Sequence, residues 1–446
     1  MRDTLLLIVV GGFVPFSVIR PVMGILFFTW LAFFYPQSHA WGIATRIPLS
    51  EISAAATIFG CLVSRDVLRF PMQRETFLLL ALWGFFGVSS VFAIYPDRAA
   101  ANLIEVSKIF LMVMLTTMLL RDSNHLRALV RVVALSLGFY GLKGGVFAVI
   151  TGGQQLVYGP QGSFLAANNS IGLALAMNVP LLYFLFRTET RRWLRCVIAA
   201  MLLFSYPAVI CTYSRGAWLG LAMATALLFL RSRHKFLIVA IVGLFGVVGI
   251  SARPQLMPER LSFRYNQLVN YERDDSAESR FWNWEFCKRV GMDRPLTGGG
   301  FRFTSLENYE KYYPEFLQRW PGKEWTCHSV WFTIFGEHGF PGFLLWLVLL
   351  VSCLFSLRSM RARAKANPEL AWMALYADSL QAGLVVYLVV GTFLDAAYFD
   401  VLYYWIAMII IGKSILLDAT RAAVAPGTVP VAQAPVLARP RIAMTR

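Results

Sequence analysis

Twelve apolar segments alternate with short polar connections along the chain. They fall at 4–35, 50–64, 75–95, 100–120, 126–151, 165–186, 192–213, 215–231, 236–252, 329–357, 370–396 and 401–418. Many approach the roughly 20 apolar residues that carry a helix across a bilayer. The first is too long for one straight span and holds Pro15, Arg20 and Pro21. The count is therefore 12 if it is one unit and 13 if it is two short helices. A β-barrel would show short alternating segments instead. The pattern predicts an all-α polytopic membrane protein.

Charge orients these segments. Basic clusters occur at Arg65–Arg74, Arg121–Arg131, Arg187–Arg195, Arg231–Lys235 and Arg358–Lys365. An even number of apolar segments separates each cluster from the next, so all five fit the cytoplasmic side together. The connections 36–49, 96–99, 152–164, Tyr213–Ser214–Arg215, 253–327 and 397–400 then face outward. Only 253–327 is large enough to fold. It holds twelve basic and eleven acidic residues, so it is nearly neutral. Its stretches 279–290 and 306–320 are patterned as short amphipathic helices lying over the membrane. The expected division is 1–252 for spans 1–9 (or 1–10), 253–327 for a periplasmic loop domain and 328–418 for the C-terminal spans. Residues 419–446, rich in Ala, Pro and Val beyond Ala422, are expected to be a disordered cytoplasmic tail. No internal repeat is visible.

Composition agrees with this pattern and narrows the function. Of 446 residues, 57% are hydrophobic and 15% charged, with a mean hydropathy of +0.58; soluble domains carry about 25% charge. The net charge of +16 is explained by the cytoplasmic clusters, so nucleic acid is not expected as a partner. The start, Met1-Arg2-Asp3 before an apolar run, resembles a signal anchor without a processing site. Six cysteines include no CxxC pair, which argues against a zinc or iron–sulfur centre. Cys287 and Cys327 share the long loop. A disulfide is open to them if the loop faces an oxidising compartment, but two free thiols are the favoured reading.

Several polar residues stand out against this background. Arg215 lies between two apolar segments, in an outward turn. Its planar fork matches phosphate oxygens; the plainer reading is an arginine snorkelling from a helix end. Arg280 would share a helix face with Trp284 and Cys287. A cation beside aromatics near a membrane suits a lipid-linked anion, and an exposed loop arginine is the alternative. Lys288 and Arg289 are secondary candidates. Gly298-Gly299-Gly300 lets backbone N–H groups approach an anion but lacks the Gly-Lys-Ser/Thr of a P-loop. A tight turn near the site is the preferred reading, with Arg302 as an optional phosphate contact.

His328 ends the long loop and opens an apolar segment. An imidazole there titrates near neutral pH and can act as a base; a structural cap is the alternative. Projected on a continuous helix, His328 shares a face with Gly339 and Gly342, which would set it above a closely packed seam. Glu337 and His338 point elsewhere and are expected to be internal hydrogen-bonding groups. Asn168, Asn169, Glu105, Lys108, Lys143 and Asp395 are further polar groups in the outward half. They are functional candidates or, for the charged ones, buried pairs.

This constellation resembles the bacterial O-antigen ligase family (WaaL) and its superfamily of O-antigen polymerases and protein O-glycosylating oligosaccharyltransferases. The family pattern of His, Asn/Ser/Gln, nine residues, Gly, two residues and Gly/Thr/Tyr reads here as His328-Ser329, nine residues, then Gly339-Phe340-Pro341-Gly342. The Ser-Arg-Gly-Ala turn is Ser214-Arg215-Gly216-Ala217. The loop-helix Ser-Arg and the following Pro-Leu-Thr-Gly turn are Ser279-Arg280 and Pro295–Gly298. Asn169 with Pro180 matches the Asn before a proline-ended span. The motifs span residues 160–345. A second histidine, His338, stands inside the spacer, and the motif phase favours His328. The aromatic-rich N-terminal third also resembles O-glycosylation ligases associated with exosortase systems.

The resemblance implies a GT-C-like glycosyltransferase in the bacterial inner membrane. It implies transfer of a glycan from undecaprenyl diphosphate to a sugar hydroxyl of lipid A–core at the periplasmic face. His328 would be catalytic, and Arg215 and Arg280 would bind the donor diphosphate. No cofactor and no metal is expected, because no acidic cluster suggests Mg²⁺ or Mn²⁺ ligands. An O-antigen polymerase and a protein oligosaccharyltransferase are the enzymatic alternatives. An ion-coupled transporter or flippase is the non-enzymatic one; it would require repeats or broken mid-membrane helices, and neither is visible in the sequence.

Overall fold

The computed structural model describes residues 2–64, 68–231, 275–366 and 368–424. The expected span 236–252, the first part of the long loop and residues 425–446 lie outside the described residues; the first six residues of the tail expected at 419–446 are helical, continuing the last helix to Val424. Among those described, regular structure is helical throughout. The helices are α1 (Arg2–Ile19), α2 (Pro21–Phe34), α3 (Leu49–Val63), α4 (Arg74–Val91), α5 (Pro96–Leu119), α6 (Ser123–Ile150), α7 (Asn168–Thr188), α8 (Arg192–Ile210) and α9 (Arg215–Arg231). The loop helices follow as α10 (Asp275–Asp293), α11 (Leu306–Tyr312) and α12 (Pro314–Arg319). The chain then continues through α13 (Val330–Ala366), α14 (Trp372–Gly391) and α15 (Asp400–Val424). Nine of the described helices are long and apolar enough to cross a membrane, and α2 and α3 are shorter apolar helices.

The first apolar segment is two helices. Arg20 and Pro21 divide it, with Pro21 opening α2, where its missing N–H costs nothing. The pair is a hairpin. Asp3, at the start of α1, accepts the Trp41 N–H at 3.1 Å, while Ser17, near its end, faces Gly24 of α2.

The centre is formed by α7 and α15. Every residue from Ile171 to Leu185 is buried, as is every residue from Val401 to Gly412. Helices apolar all round belong in the middle of a bundle. Small residues let neighbours approach closely. On α6, a Cβ at Gly145 would lie 2.0 Å from the Phe204 carbonyl oxygen of α8.

The two ends of the bundle differ. At the basic end, buried Glu75 accepts hydrogen bonds from Ser352, Ser356 and Lys413, each at 2.6 Å. Arg231 and Arg361 converge there on Asp378. At the opposite end, the connections expected to face outward contact one another. The Ile94 N–H donates to the Gly299 carbonyl at 2.9 Å, and the Val157 N–H to the Cys211 carbonyl at 2.9 Å. The long loop packs its own small core there from Phe286, Tyr309, Phe316 and neighbouring aromatics. The stretch 279–290 lies within α10. The stretch 306–320 divides at Pro314 into α11 and α12, since a proline disfavours helix in the residue before it.

Two expectations are corrected. Cys287 and Cys327 are joined by a disulfide, not left as free thiols. And α13 is broken: Gly339 has φ +62 and Pro341 follows, so the helix assumed in projecting His328, Gly339 and Gly342 on one face is not continuous.

Candidate functional site

His328 is held outside α13. Its φ is +50, a left-handed conformation that non-glycine residues rarely adopt. The helix starts two residues later, at Val330, with the Thr333 N–H donating to the Ser329 carbonyl at 2.8 Å. His328 is thus a turn residue between a disulfide-bonded cysteine and the helix start. The Ser329 hydroxyl is buried without a hydrogen-bond partner among the described residues. The His328 side chain is half-buried. Burial pushes its pKa below the ordinary histidine value; Asp395 opposes that shift and the Arg280 cation adds to it. The imidazole is therefore neutral at pH 7 and able to accept a proton.

Arg280 reaches this point from α10. On the same face, Trp284 stacks on Phe332 of α13 with ring centroids 5.3 Å apart, and Cys287 bonds to Cys327. The i, i+4, i+7 face expected from the sequence is the face that docks the loop onto α13.

Arg215 is the first residue of α9, directly after a strained turn in which Tyr213 has φ +54. Asn168 ties this turn to α7, its side-chain amide donating to the Thr212 carbonyl at 2.9 Å. Asn169 follows, half-buried. Gly216 packs against Val390 at the end of α14, and the adjacent Gly391 packs against Val330. The Arg215 turn and the His328 turn therefore flank one helix end.

The secondary candidates divide. Lys288 and Arg289 bond to Glu285 at 3.1 and 3.2 Å, and Arg289 lies over the Tyr313 ring at 4.1 Å. They hold the loop together. The glycine run does not present its N–H groups to a ligand. The Gly299 and Gly300 N–H groups donate to the Gly336 and Glu337 carbonyls at 2.8 and 2.9 Å, and the Phe340 N–H donates to the Pro295 carbonyl. These carbonyls lose their helical partners at the Gly339 break, and the glycine turn replaces them. It is a tight turn that docks the loop.

Glu337 and His338 are internal, as expected. Nδ1 of His338 lies 2.6 Å from the Ser89 hydroxyl, and Nε2 lies 2.7 Å from the Tyr398 hydroxyl. Its ring stacks on Phe86. Tyr398 donates to Glu337, which also accepts the Arg302 N–H at 2.9 Å. Glu337 in addition lines a polar cavity of about 900 Å³, with Arg98, Arg302, Thr333, Asp395 and Tyr398. Asp395 accepts from the Thr333 hydroxyl at 3.0 Å. Glu105 and Lys108 pair at 2.7 Å, but both are exposed, and Lys143 is exposed as well. Tyr398 and Ser89 escaped the sequence reading. Nothing in a short turn or an apolar helix marks a residue whose partner lies in a distant segment.

These features define a class: a multi-pass helical membrane protein in which the His328 turn, with Arg280 acting on its imidazole, and the Arg215 turn flank one helix end. Residues 200–347 match the family model described as O-antigen ligase, and residues 1–190 match a family of unknown function (DUF5935). The matched segment 200–347 carries Arg215, Arg280 and His328. The O-antigen ligase family implies a glycosyltransferase-like ligase or polymerase activity on lipid-linked glycans. None of the curated proteins matches the chain.

Proposed function

We propose that the protein is a GT-C-like O-antigen ligase of the bacterial inner membrane. It transfers a glycan from undecaprenyl diphosphate to a sugar hydroxyl of lipid A–core at the periplasmic face. The observation that carries this reading is the meeting of two arginine-bearing elements at His328. Arg280 acts electrostatically on its imidazole, and the Arg215 turn packs against the same end of α14.

Arg215 and Arg280 bind the diphosphate through charge-assisted hydrogen bonds and stabilise it as it leaves. His328 orients or deprotonates the attacking hydroxyl. The hydroxyl oxygen bonds to the anomeric carbon, the bond to the diphosphate breaks, and the configuration inverts. Arginines take the part of a metal, so the reaction is metal-independent. Loss of activity in EDTA with recovery in Mn²⁺ would refute that statement. A disulfide beside His328 supports an oxidising compartment for the loop, and the basic clusters at the other end support the same orientation.

Reconstitution with undecaprenyl-diphosphate glycan and lipid A–core tests the reading. Glycan on lipid A is the expected product. Longer lipid-linked chains identify a polymerase instead, and transfer only when a polypeptide is supplied identifies an oligosaccharyltransferase.

A further inference from the structure

The basic end of the bundle holds a cavity of about 370 Å³, far along α13 from the His328 turn. Three helices wall it. Arg74 of α4, Arg363 of α13 and Lys413 of α15 bring three cations, and Phe355 and Met360 of α13 and Leu416 of α15 bring apolar surface. Among the described residues, no carboxyl group lines it. Sizes of roughly 300–1,000 Å³ are typical of small-molecule sites.

The cations are held in place but not neutralised. Glu75, fully buried behind the wall, pairs with Lys413 at 2.6 Å and with Arg74 at 3.3 Å. Nε of Arg74 also donates to the Ser352 hydroxyl at 2.6 Å. Arg363 is exposed and has no ion pair or hydrogen bond among the described residues. One negative charge thus stands against three positive ones, and the surplus attracts an anion. Guanidinium and ammonium groups match phosphate oxygens, and the exposed Ser359 hydroxyl adds a further donor to the wall. The outer face of α13 shows what kind of anion this is. Leu344, Val348, Val351 and Phe355 are exposed and fall three or four residues apart, so they form one apolar stripe on a helix long enough to cross a membrane. The exposed residues that follow are Arg358, Ser359, Ala362 and Arg363. Phe355, the last of the stripe, lines the cavity. The cavity therefore sits where an acyl-facing surface gives way to cations. A soluble anion would use the cations alone; an anionic lipid uses both.

We propose that this cavity binds the headgroup phosphate of an anionic phospholipid, with an acyl chain lying along the α13 stripe. The lipid is a bound component that bridges α4, α13 and α15, not a substrate. The site stands independently of the glycosyl transfer proposed above.

Native mass spectrometry of the full-length protein in a neutral detergent tests it, by titration with phosphatidylglycerol and with phosphatidylcholine of the same chains. Phosphatidylglycerol is expected to bind at least about tenfold more tightly. Arg363→Gln should weaken it about fivefold, and Ser359→Glu at least as much, with phosphatidylcholine unaffected. Arg192→Gln, at an exposed basic position outside the cavity, should change nothing. Equal binding of the two lipids overturns the assignment, as does an equal loss in Arg192→Gln, which marks general surface charge. Displacement by equimolar glycerol 3-phosphate shows a site for free phosphate, and tighter binding of undecaprenyl phosphate shows a prenyl-lipid site; either overturns it. Thermal midpoints without lipid check that the variants fold. Wild-type protein gives a readout that needs no variant. Phosphatidylglycerol with a diazirine near the head end of one acyl chain is expected to label residues 351–363 and 413–417, and absence of label there overturns the assignment.

Discussion

Burial and the Arg280 cation lower the pKa of His328 while Asp395 raises it. A base works only when unprotonated, so the acid limb of kcat/KM is expected below the ordinary histidine value of 6.5. Asp395→Asn removes the group that raises the pKa, and the limb should move to still lower pH. A limb that stays in place or moves upward shows that His328 does not carry the proton. Substitutions separate binding from chemistry. Arg215→Ala and Arg280→Ala should block transfer by weakening donor binding, with the protein still in the membrane. His328→Ala should retain donor binding and lose transfer; normal surface glycan in His328→Ala cells would remove the catalytic role. Each of these residues was legible in the sequence because its type was out of place, a cation or imidazole at an apolar boundary. Tyr398 was not legible, because a tyrosine in an outward turn is ordinary until Glu337 and His338 are seen beside it.

Among the elements, the break in α13 does the positioning. The glycine turn, the Gly336 and Glu337 carbonyls and the disulfide fasten the loop to one helix on both sides of the histidine turn. Gly339 permits this. At φ +62 and ψ −164, a Cβ would lie 2.5 Å from the Pro295 carbonyl oxygen, and this essentially glycine-only region costs an L-residue on the order of 1–3 kcal/mol before any clash. Gly339→Ala should therefore loosen the loop and reduce transfer, which faster amide exchange in residues 294–302 would report. Exchange equal to wild type would show that the break does not depend on the glycine. The Gly339-x-x-Gly342 spacing was visible in the sequence and suggested a packing seam on a continuous helix. The actual arrangement needed the backbone, because one positive φ changes the direction of everything after it. At Gly342 an added Cβ would lie 2.3 Å from the His338 side chain.

For the whole molecule, two sets of connections occupy opposite ends of the bundle, with basic groups gathered at one and the folded loop at the other. Single cysteines introduced at Lys323 and at Arg121, in a background lacking the four cysteines outside the disulfide, should react differently with a membrane-impermeant thiol reagent added to intact cells. Position 323 should react, and position 121 only after permeabilisation. The reverse pattern would invert the topology and place the histidine in the cytoplasm.

Sequence alone determined the helical class and the order of the described helices, because both depend on local quantities such as apolar length and proline position; charge placement is the basis of the proposed orientation. Sequence also determined which residue types the site contains. Tertiary structure decided the rest. It joined Cys287 to Cys327, committed Lys288 and Arg289 to Glu285, and turned the glycine run into a dock for α13. It also brought carboxyl groups from α5, the loop, α13 and the α14–α15 turn around one cavity. Those outcomes are contacts between segments distant in the chain, and periodicity and composition carry no record of which distant segments meet.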